Sequence, residues 1–402
     1  MNRALIVGGS LGGLFAGLLL RQAGWDVTVF ERSAGDLASR GVGVGTHPEQ
    51  LDVMRRVGAD SDPSIGVAIT ERICLGRDGA VIAALPFAKV MSSWGRQYQA
   101  LRRLMPAVAY RSGMLLQAVD QHPDGVTAIF ADGSRADGDL LIGADGLRST
   151  VRACCFDTAE PRYAGYVAWR GVLQEHETPP FVRAAIFDRF ACYLPPREMV
   201  LSYPVPGRED AAGRERRALN WIWYHPVHEV RSLPALCTDA SGRVHAAGIP
   251  PPLIRPEVVA AFLAEAHALL PPPFAAAMAA TADPFFQPIY DLDSPRIVAG
   301  RAALLGDAAF VARPHVAAGV TKAALNAAWL ADALVASPSD IDNALAAYEA
   351  RAQPFGSAMV ARARWIGAYL EDPPRAGIDP EPLTLMQAIG SPLAEIPGLS
   401  VA

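Results

Sequence analysis

Three short stretches place small or acidic residues just past an apolar run. That is the pattern expected where a parallel sheet offers its carboxyl edge to a ligand. The first is Gly8-Gly9-Ser10-Leu11-Gly12-Gly13, with Glu31 closing the next apolar run. A glycine-rich turn lets backbone N–H groups approach a diphosphate, and the start of the following helix favours its negative charge. Glu31, about twenty residues on, is placed to accept hydrogen bonds from ribose hydroxyls. Ser10 stands where G-x-G-x-x-G has its second glycine; it is small, and its hydroxyl can donate to phosphate. The second stretch runs from Gly143-Ala144-Asp145-Gly146 to Arg152, and the third is Gly306-Asp307 followed by Arg313-Pro314-His315 and Ala317-Ala318-Gly319-Val320. Singly, the first turn could be a tight connection without ligand, and either aspartate a helix N-cap or turn residue. Three such motifs in this order argue for one dinucleotide site.

The elements that position them follow from apolar patterning. Ala4–Val7 reads as a buried strand, Leu14–Ala23 as a helix ended by Gly24, and Val27–Phe30 as the next strand, a βαβ unit. Gly125–Phe130 runs into a hairpin turn at Asp132-Gly133, and Asp139–Ile142 and Ala302–Leu305 are further buried strands. From about Tyr163 to Pro288 the pattern changes to strands, at Tyr166–Leu173, Met199–Pro204 and Leu219–Tyr224, interrupted by a helix over Pro256–Leu270. Ala323–Ala336 and Asn343–Tyr369 carry helical spacing, and the proline-rich tail after Glu371 reads as irregular. The fold class is therefore α/β, with a Rossmann-like domain, an inserted mostly antiparallel sheet domain and C-terminal helices.

Apolar residues make up 51% of the 402, which is enough for a large core and argues against disorder. The net charge of −5 argues against nucleic acid or an anionic membrane as partner. The five cysteines are odd in number and form no Cys-x-x-Cys, so neither a zinc site nor a disulfide framework is expected, and a cytoplasmic setting is the simplest. Glycines break up the apolar run Ala4–Leu20, which makes a strand, turn and helix rather than a membrane span or signal peptide.

The motifs together resemble the class A flavoprotein aromatic hydroxylases, the para-hydroxybenzoate hydroxylase-like family, over nearly the whole chain. Tyr163–Val167 with Trp169-Arg170-Gly171-Val172-Leu173, Tyr203–Glu209 and Arg313-Pro314-His315 resemble that family's dihydroxypyridine-hydroxylase branch, in which Ser10 is expected. The resemblance implies tightly bound, non-covalent FAD held by Gly8, Ser10, Leu11, Gly12, Gly13, Glu31, Arg32, Gly43, Val44, Asp145, Asp307, Pro314, Ala317, Ala318, Gly319 and Val320. Many relatives have a cofactor-contacting arginine where Tyr98 stands, leaving Arg96 or Arg102 to substitute. The implied FAD domain comprises residues 1–75, 96–162 and 289–345, the substrate domain residues 76–95 and 163–288, and the closing helices and tail residues 346–402.

The implied reaction has three stages: NAD(P)H reduces FAD, dioxygen adds to give a flavin C4a-hydroperoxide, and one oxygen passes to an electron-rich ring, here a hydroxypyridine. The small aromatic substrate and dioxygen are then the partners, and a homodimer is expected by analogy. A group that draws the proton from the substrate hydroxyl would help. The candidates are His315, His47 (in the loop Gly41–Pro48), Tyr203 and Tyr224, each weighed against a plain core or loop role. Trp169, Trp221 and Trp223 could line an aromatic pocket, with core packing as the competing use. The alternatives are hydroxylation of a non-pyridine phenol, another flavin oxidoreductase reaction, or a non-catalytic nucleotide-binding module. A simple NAD-dependent dehydrogenase would not need the two downstream aspartate motifs.

Overall fold

The computed structural model describes residues 1–38, 43–59, 65–123, 125–156, 160–209, 215–246, 248–371 and 381–395. In chain order its strands are β1 (Arg3–Val7), β2 (Asp26–Glu31), β3 (Gly43–Gly45), β4 (Gly66–Leu75), β5 (Val81–Ser93), β6 (Tyr110–Ser112), β7 (Leu116–His122), β8 (Gly125–Phe130) and β9 (Arg135–Gly138), then β10 (Leu140–Gly143), β11 (Arg162–Gln174), β12 (Phe190–Tyr193), β13 (Met199–Glu209), β14 (Glu215–Pro226), β15 (Phe285–Asp293), β16 (Val298–Ala299), β17 (Ala302–Leu304) and β18 (Phe310–Val311). The helices are α1 (Leu11–Gln22), α2 (Pro48–Arg56), α3 (Trp94–Leu104), α4 (Thr150–Cys155), the short α5 (Pro180–Val182) and α6 (Leu233–Leu236), α7 (Pro256–Leu269), α8 (Pro272–Ala279), α9 (Gly319–Ala336), α10 (Ile341–Gly367) and α11 (Pro382–Ala388).

The apolar strands form a six-stranded sheet in the order β16-β17-β10-β1-β2-β6, parallel throughout except for β16. Burial on both faces explains why these strands read as continuous apolar runs. The three aspartate and glycine motifs leave from the ends of β1, β10 and β17, which are neighbours, so their turns converge. Helices α1 and α9 start in the first and third motifs and pack against each other, α1 also against β1 and β2; Leu14, Leu18, Ala324 and Ala328 are all buried. Both helices begin about a turn earlier than apolar spacing alone predicts, because their first residues are Leu11-Gly12-Gly13 and Gly319-Val320.

The second sheet has nine strands, ordered β18-β15-β11-β14-β13-β12-β4-β5-β3, antiparallel apart from the β12–β4 pair. Strand β4, expected in the first nucleotide-binding segment, instead pairs with β5 and β12 in this sheet. Alternation divides its central strands into two faces. Val167, Trp169, Trp221 and Trp223 point to a back layer where Trp169 stacks on Phe262 of α7, ring centroids 4.1 Å apart. Tyr166, Ala168, Ile222 and Tyr224 face the nucleotide-binding lobe. The tail is not wholly irregular: Pro382 opens α11, since proline is well placed in a first helical turn. No helix of the described residues is long and apolar enough to cross a membrane.

Candidate active site

Between the two sheets lies a cavity of about 560 Å3, within the range of roughly 300–1,000 Å3 common for small-molecule sites. One end is the phosphate turn. Gly8, Ser10, Leu11 and Gly12 line it, and Gly13 lies behind. Gly8 takes φ +108°, and a Cβ there would stand 2.3 Å from the Ala144 carbonyl oxygen. A Cβ on Gly13 would stand 1.9 Å from the Gly8 carbonyl oxygen, so this glycine serves helix–strand packing. Glu31 is buried on the wall, accepting hydrogen bonds from the backbone N–H of Gly9 (2.9 Å) and Ser33 (2.8 Å); Arg32 follows it.

The turn is braced from behind. The Tyr110 hydroxyl donates to the Gly9 carbonyl at 3.0 Å, and the Tyr98 hydroxyl stands 3.4 Å from that of Tyr110. Tyr98 stacks on Trp94, which lines the cavity. Arg102 lies over the Tyr110 ring and does not reach the wall, and neither does Arg96. An aromatic brace thus occupies the place where an arginine contact was expected.

Asp145 and Asp307 both line the cavity, with different duties. Asp145 accepts from the N–H groups of Thr150 (2.7 Å) and Val151 (3.2 Å), capping α4, and its Oδ1 is buried without a partner. Burial pushes its carboxyl above the usual range. Arg152 ties the same segment to the third motif, donating to the carbonyls of Ala308 and Leu147. Asp307 is open on one side and pairs with the buried Lys322 ammonium at 2.7 Å.

The opposite wall is the loop before α9. Pro314, Ala317, Gly319 and Val320 line the cavity, whereas Ala318 is buried as the N-cap. Ala317 holds φ +51°, unusual for a residue with a side chain, so the surroundings impose this turn. Nothing lies within 4 Å of a Cβ placed on Gly319, which opens on free space. Neither α1 nor α9 has a capping side chain or an acid in its first turn, and both open on this cavity. Two uncapped helix starts suit a ligand that brings negative charge at one end and an electron-rich ring at the other. The donor set therefore fits FAD.

Across from that loop, Gly43 and Val44 form a rim; Gly41 and Val42, part of the same expected loop, fall outside the described residues. Gly43 is clamped on both sides: its N–H donates to Asn220 Oδ1 (2.9 Å) and its carbonyl accepts from the Tyr203 hydroxyl (3.0 Å). Arg170, Tyr203, Ile222 and Gln287 of the nine-stranded sheet close the far end.

Of the four residues expected to touch substrate, Tyr203 alone lines the cavity. His47 is buried against Thr321 Oγ1 (3.0 Å) and the Lys89 ammonium (3.2 Å), and burial, with Lys89 beside it, pulls its imidazole down to about 3. His315 lies behind Pro314 and Ala317, its Nε2 bonded to the Tyr166 hydroxyl at 2.7 Å and its Nδ1 without a partner. Burial, then Arg313, lowers its pKa, so it stays neutral. Tyr224 meets His315 edge-on, with centroids 4.5 Å apart, and burial pushes it up to about 12. Trp169, Trp221 and Trp223 belong to the back layer and line no part of the cavity.

The C-terminal segment causes much of this burial. Gly390 donates its N–H to the His315 carbonyl at 3.0 Å, Lys89 donates to the Gly390 carbonyl at 2.7 Å, and Arg72 caps the end of α11 through the carbonyls of Met386, Gln387 and Ile389. Trp94, Arg170, Gln287 and Arg313 are wall residues not singled out as site residues in the sequence. Arg170 carried a signal: a charge in mid-strand between Trp169 and Gly171-Val172. Among the described residues, no group of three or more His, Cys, Asp or Glu side chains could hold a metal ion.

Comparison with known proteins gives a consistent picture. Residues 163–291 match the family described as FAD binding domain-like. The chain is 33% identical to 2,6-dihydroxypyridine 3-monooxygenase of Paenarthrobacter nicotinovorans, over 92% of each chain. It is 28% identical to 6-hydroxynicotinate 3-monooxygenase of Bordetella bronchiseptica, over 82% of this chain and 81% of that one. The solved structure of 2,6-dihydroxypyridine-3-hydroxylase from Arthrobacter nicotinovorans superposes with a TM-score of 0.88 at 31% identity, covering 100% of this chain and 99% of that one.

Proposed function

Because this chain belongs to the class A FAD-dependent aromatic-ring monooxygenases, we propose that it hydroxylates a hydroxypyridine, with NAD(P)H as reductant and dioxygen as oxygen donor. The observation that carries the substrate class is the far end of the cavity. There Ile222 offers an apolar surface and Arg170, Tyr203 and Gln287 offer polar heads, a mixture suited to a small flat ring bearing hydroxyls and a ring nitrogen. The similarity to the dihydroxypyridine monooxygenase supports the same reading.

FAD, when bound, supplies electron transfer from NAD(P)H and the activation of dioxygen. The protein supplies position, charge and dryness. We assign the diphosphate to the N–H groups of the Gly8–Gly13 turn and the start of α1, and the adenosine ribose to the remaining lone pairs of Glu31. Asp307 is assigned to the ribityl hydroxyls, and the N–H groups of Gly319 and Val320 to the flavin edge that gathers negative charge on reduction. Tyr203 donates to the Gly43 carbonyl, so its oxygen lone pairs are free to accept a hydrogen bond from a substrate hydroxyl. His315, held neutral behind the loop, orients Tyr166 rather than drawing a proton from substrate.

The test is a panel of hydroxypyridines and phenols assayed for stimulated NAD(P)H oxidation, with product analysis to separate hydroxylation from peroxide release. A hydroxypyridine should give coupled hydroxylation. Coupled turnover on phenols alone would replace the substrate class, and a purified protein that neither carries nor takes up flavin would overturn the cofactor assignment. A homodimer in a cytoplasmic setting completes the reading, and light scattering on the purified protein decides the first part.

A further inference from the structure

Arg170 sits in the middle of β11, paired with Ile222 on one side and Phe285 on the other. Its residue is 6% exposed, and it lines the cavity. Among the described residues it forms no hydrogen bond and no ion pair, and its Nε is buried without a partner. A guanidinium carries five N–H donors and stays charged in proteins. Taking such a charge out of water without a partner costs several kcal/mol, and buried charges are therefore paired as a rule.

Among the described residues, no anion at that end of the site answers it. The carboxylates on the cavity wall, Glu31, Asp145 and Asp307, all belong to the strand ends of the six-stranded sheet. The nearby titratable groups are neutral: burial raises Tyr203 and Tyr224, although Arg170 pulls both downward, and burial lowers His315. The other guanidinium of that region, Arg313, is already neutralised by Asp291 (2.8 Å) and Glu371 (2.7 Å). Arg170 thus turns a guanidinium with no counter-charge among the described residues toward the cavity, where an anionic ligand can supply one.

We propose that Arg170 binds a ring hydroxyl of the substrate, other than the one assigned to Tyr203, as its oxyanion, so that ionisation accompanies binding and needs no protein base. The substrate O–H bond breaks, its electron pair stays on oxygen, and the proton leaves to solvent; nothing is oxidised or reduced. The ionised ring is richer in electrons and so more open to electrophilic oxygen. A cation within about 4–6 Å lowers the pKa of an acid by roughly 1–3 units. The inference rests on the proposed hydroxypyridine substrate and deepens it.

The test uses the FAD-loaded enzyme without NAD(P)H, titrated with 2,6-dihydroxypyridine one pH unit below the free ligand's pKa. Ligand absorbance and proton release into weakly buffered indicator are read together. Free ligand is then about one-tenth ionised, and a shift of ~2 units makes the bound ligand about nine-tenths ionised, with about 0.8 proton released per site. In Arg170→Met the bound ligand should stay neutral, affinity should fall roughly 10–100-fold, and Arg170→Lys should restore part of both effects. Because Arg170→Met removes an unpaired buried charge, its melting temperature without ligand should equal or exceed that of the wild type.

Binding of a neutral ligand to the wild type, without proton release, would overturn the inference while leaving the substrate class intact. So would unchanged ionisation in Arg170→Met, including the case where that variant loses FAD instead, which would assign Arg170 to the flavin. Failure of every hydroxypyridine to perturb the flavin spectrum would overturn the substrate class and this inference together.

Discussion

Replacing Arg313 with methionine should destabilise the protein by about 3–5 kcal/mol, the usual cost of leaving a buried carboxylate without its partner. The guanidinium, 2% exposed, holds Asp291 through three bonds, Nε to Oδ1 at 3.0 Å and to Oδ2 at 3.2 Å and Nη2 to Oδ2 at 2.8 Å, and holds Glu371 at 2.7 Å. Arg364 also reaches Asp291, at 3.3 Å, but it is 35% exposed and offsets only part of the loss. An unfolding entropy of about 2.1 cal/mol/K per residue over the 402-residue chain gives ~0.8 kcal/mol/K. The expected fall in melting temperature is therefore ~4–6 °C. Flavin fluorescence on heating reads it directly, because Arg313 precedes the loop at Pro314 that walls the cavity. The double variant Arg313→Met with Asp291→Leu removes both charges and should recover at least half of the loss. A drop below about 1 °C in the single variant, or a double variant no better than the single, would refute the reading of Arg313 and Asp291 as a stabilising buried pair.

Gly319→Leu fills open space at the start of α9 and should weaken FAD binding at least about tenfold, with circular dichroism of the apoprotein unchanged; equal flavin affinity would remove Gly319 from the site. Lys89 is depressed to about 7 by burial and then by Arg72, against an ordinary 10.5, so above pH 7 the unfolded chain binds more protons and stability should rise with pH. Lys89→Met should flatten that slope by up to ~1 kcal/mol per unit, read in urea between about pH 7 and 8.5. Above that window thiols such as the half-buried Cys155, pushed up to about 12, pull the other way. Arg72→Met removes the cap on α11 and should speed proteolysis of the C-terminal segment and loosen flavin; cleavage at the wild-type rate would show that the cap does not hold the tail.

The nucleotide end of the site was legible because it is local. Strand, turn, helix and acid lie within about thirty residues, and apolar runs mark strands buried on both faces. Helix starts were misjudged where glycines serve as both turn and helix, at Gly12-Gly13 and Gly319. The substrate end depends on distant partners. Trp221 and Trp223 share a face, as alternation requires, but both faces of β14 are buried and nothing local says which one meets the cavity. His47 and His315 looked available for chemistry because the segment that buries them, around Gly390 and Ser391, lies far along the chain in a tail whose prolines suggested no structure. Arg170 was legible as an oddity, a charge within an apolar strand, but its lack of a partner appears only when the whole wall is assembled.

The central claim, that this cavity holds FAD and directs one atom of dioxygen onto a hydroxypyridine ring, is tested most directly by turnover under oxygen-18 labelled dioxygen. The account predicts a flavin-containing enzyme that forms a hydroxylated pyridine carrying one labelled oxygen for each NAD(P)H oxidised. Label recovered only as peroxide and water with every hydroxypyridine, or a new hydroxyl drawn from unlabelled water, would contradict it.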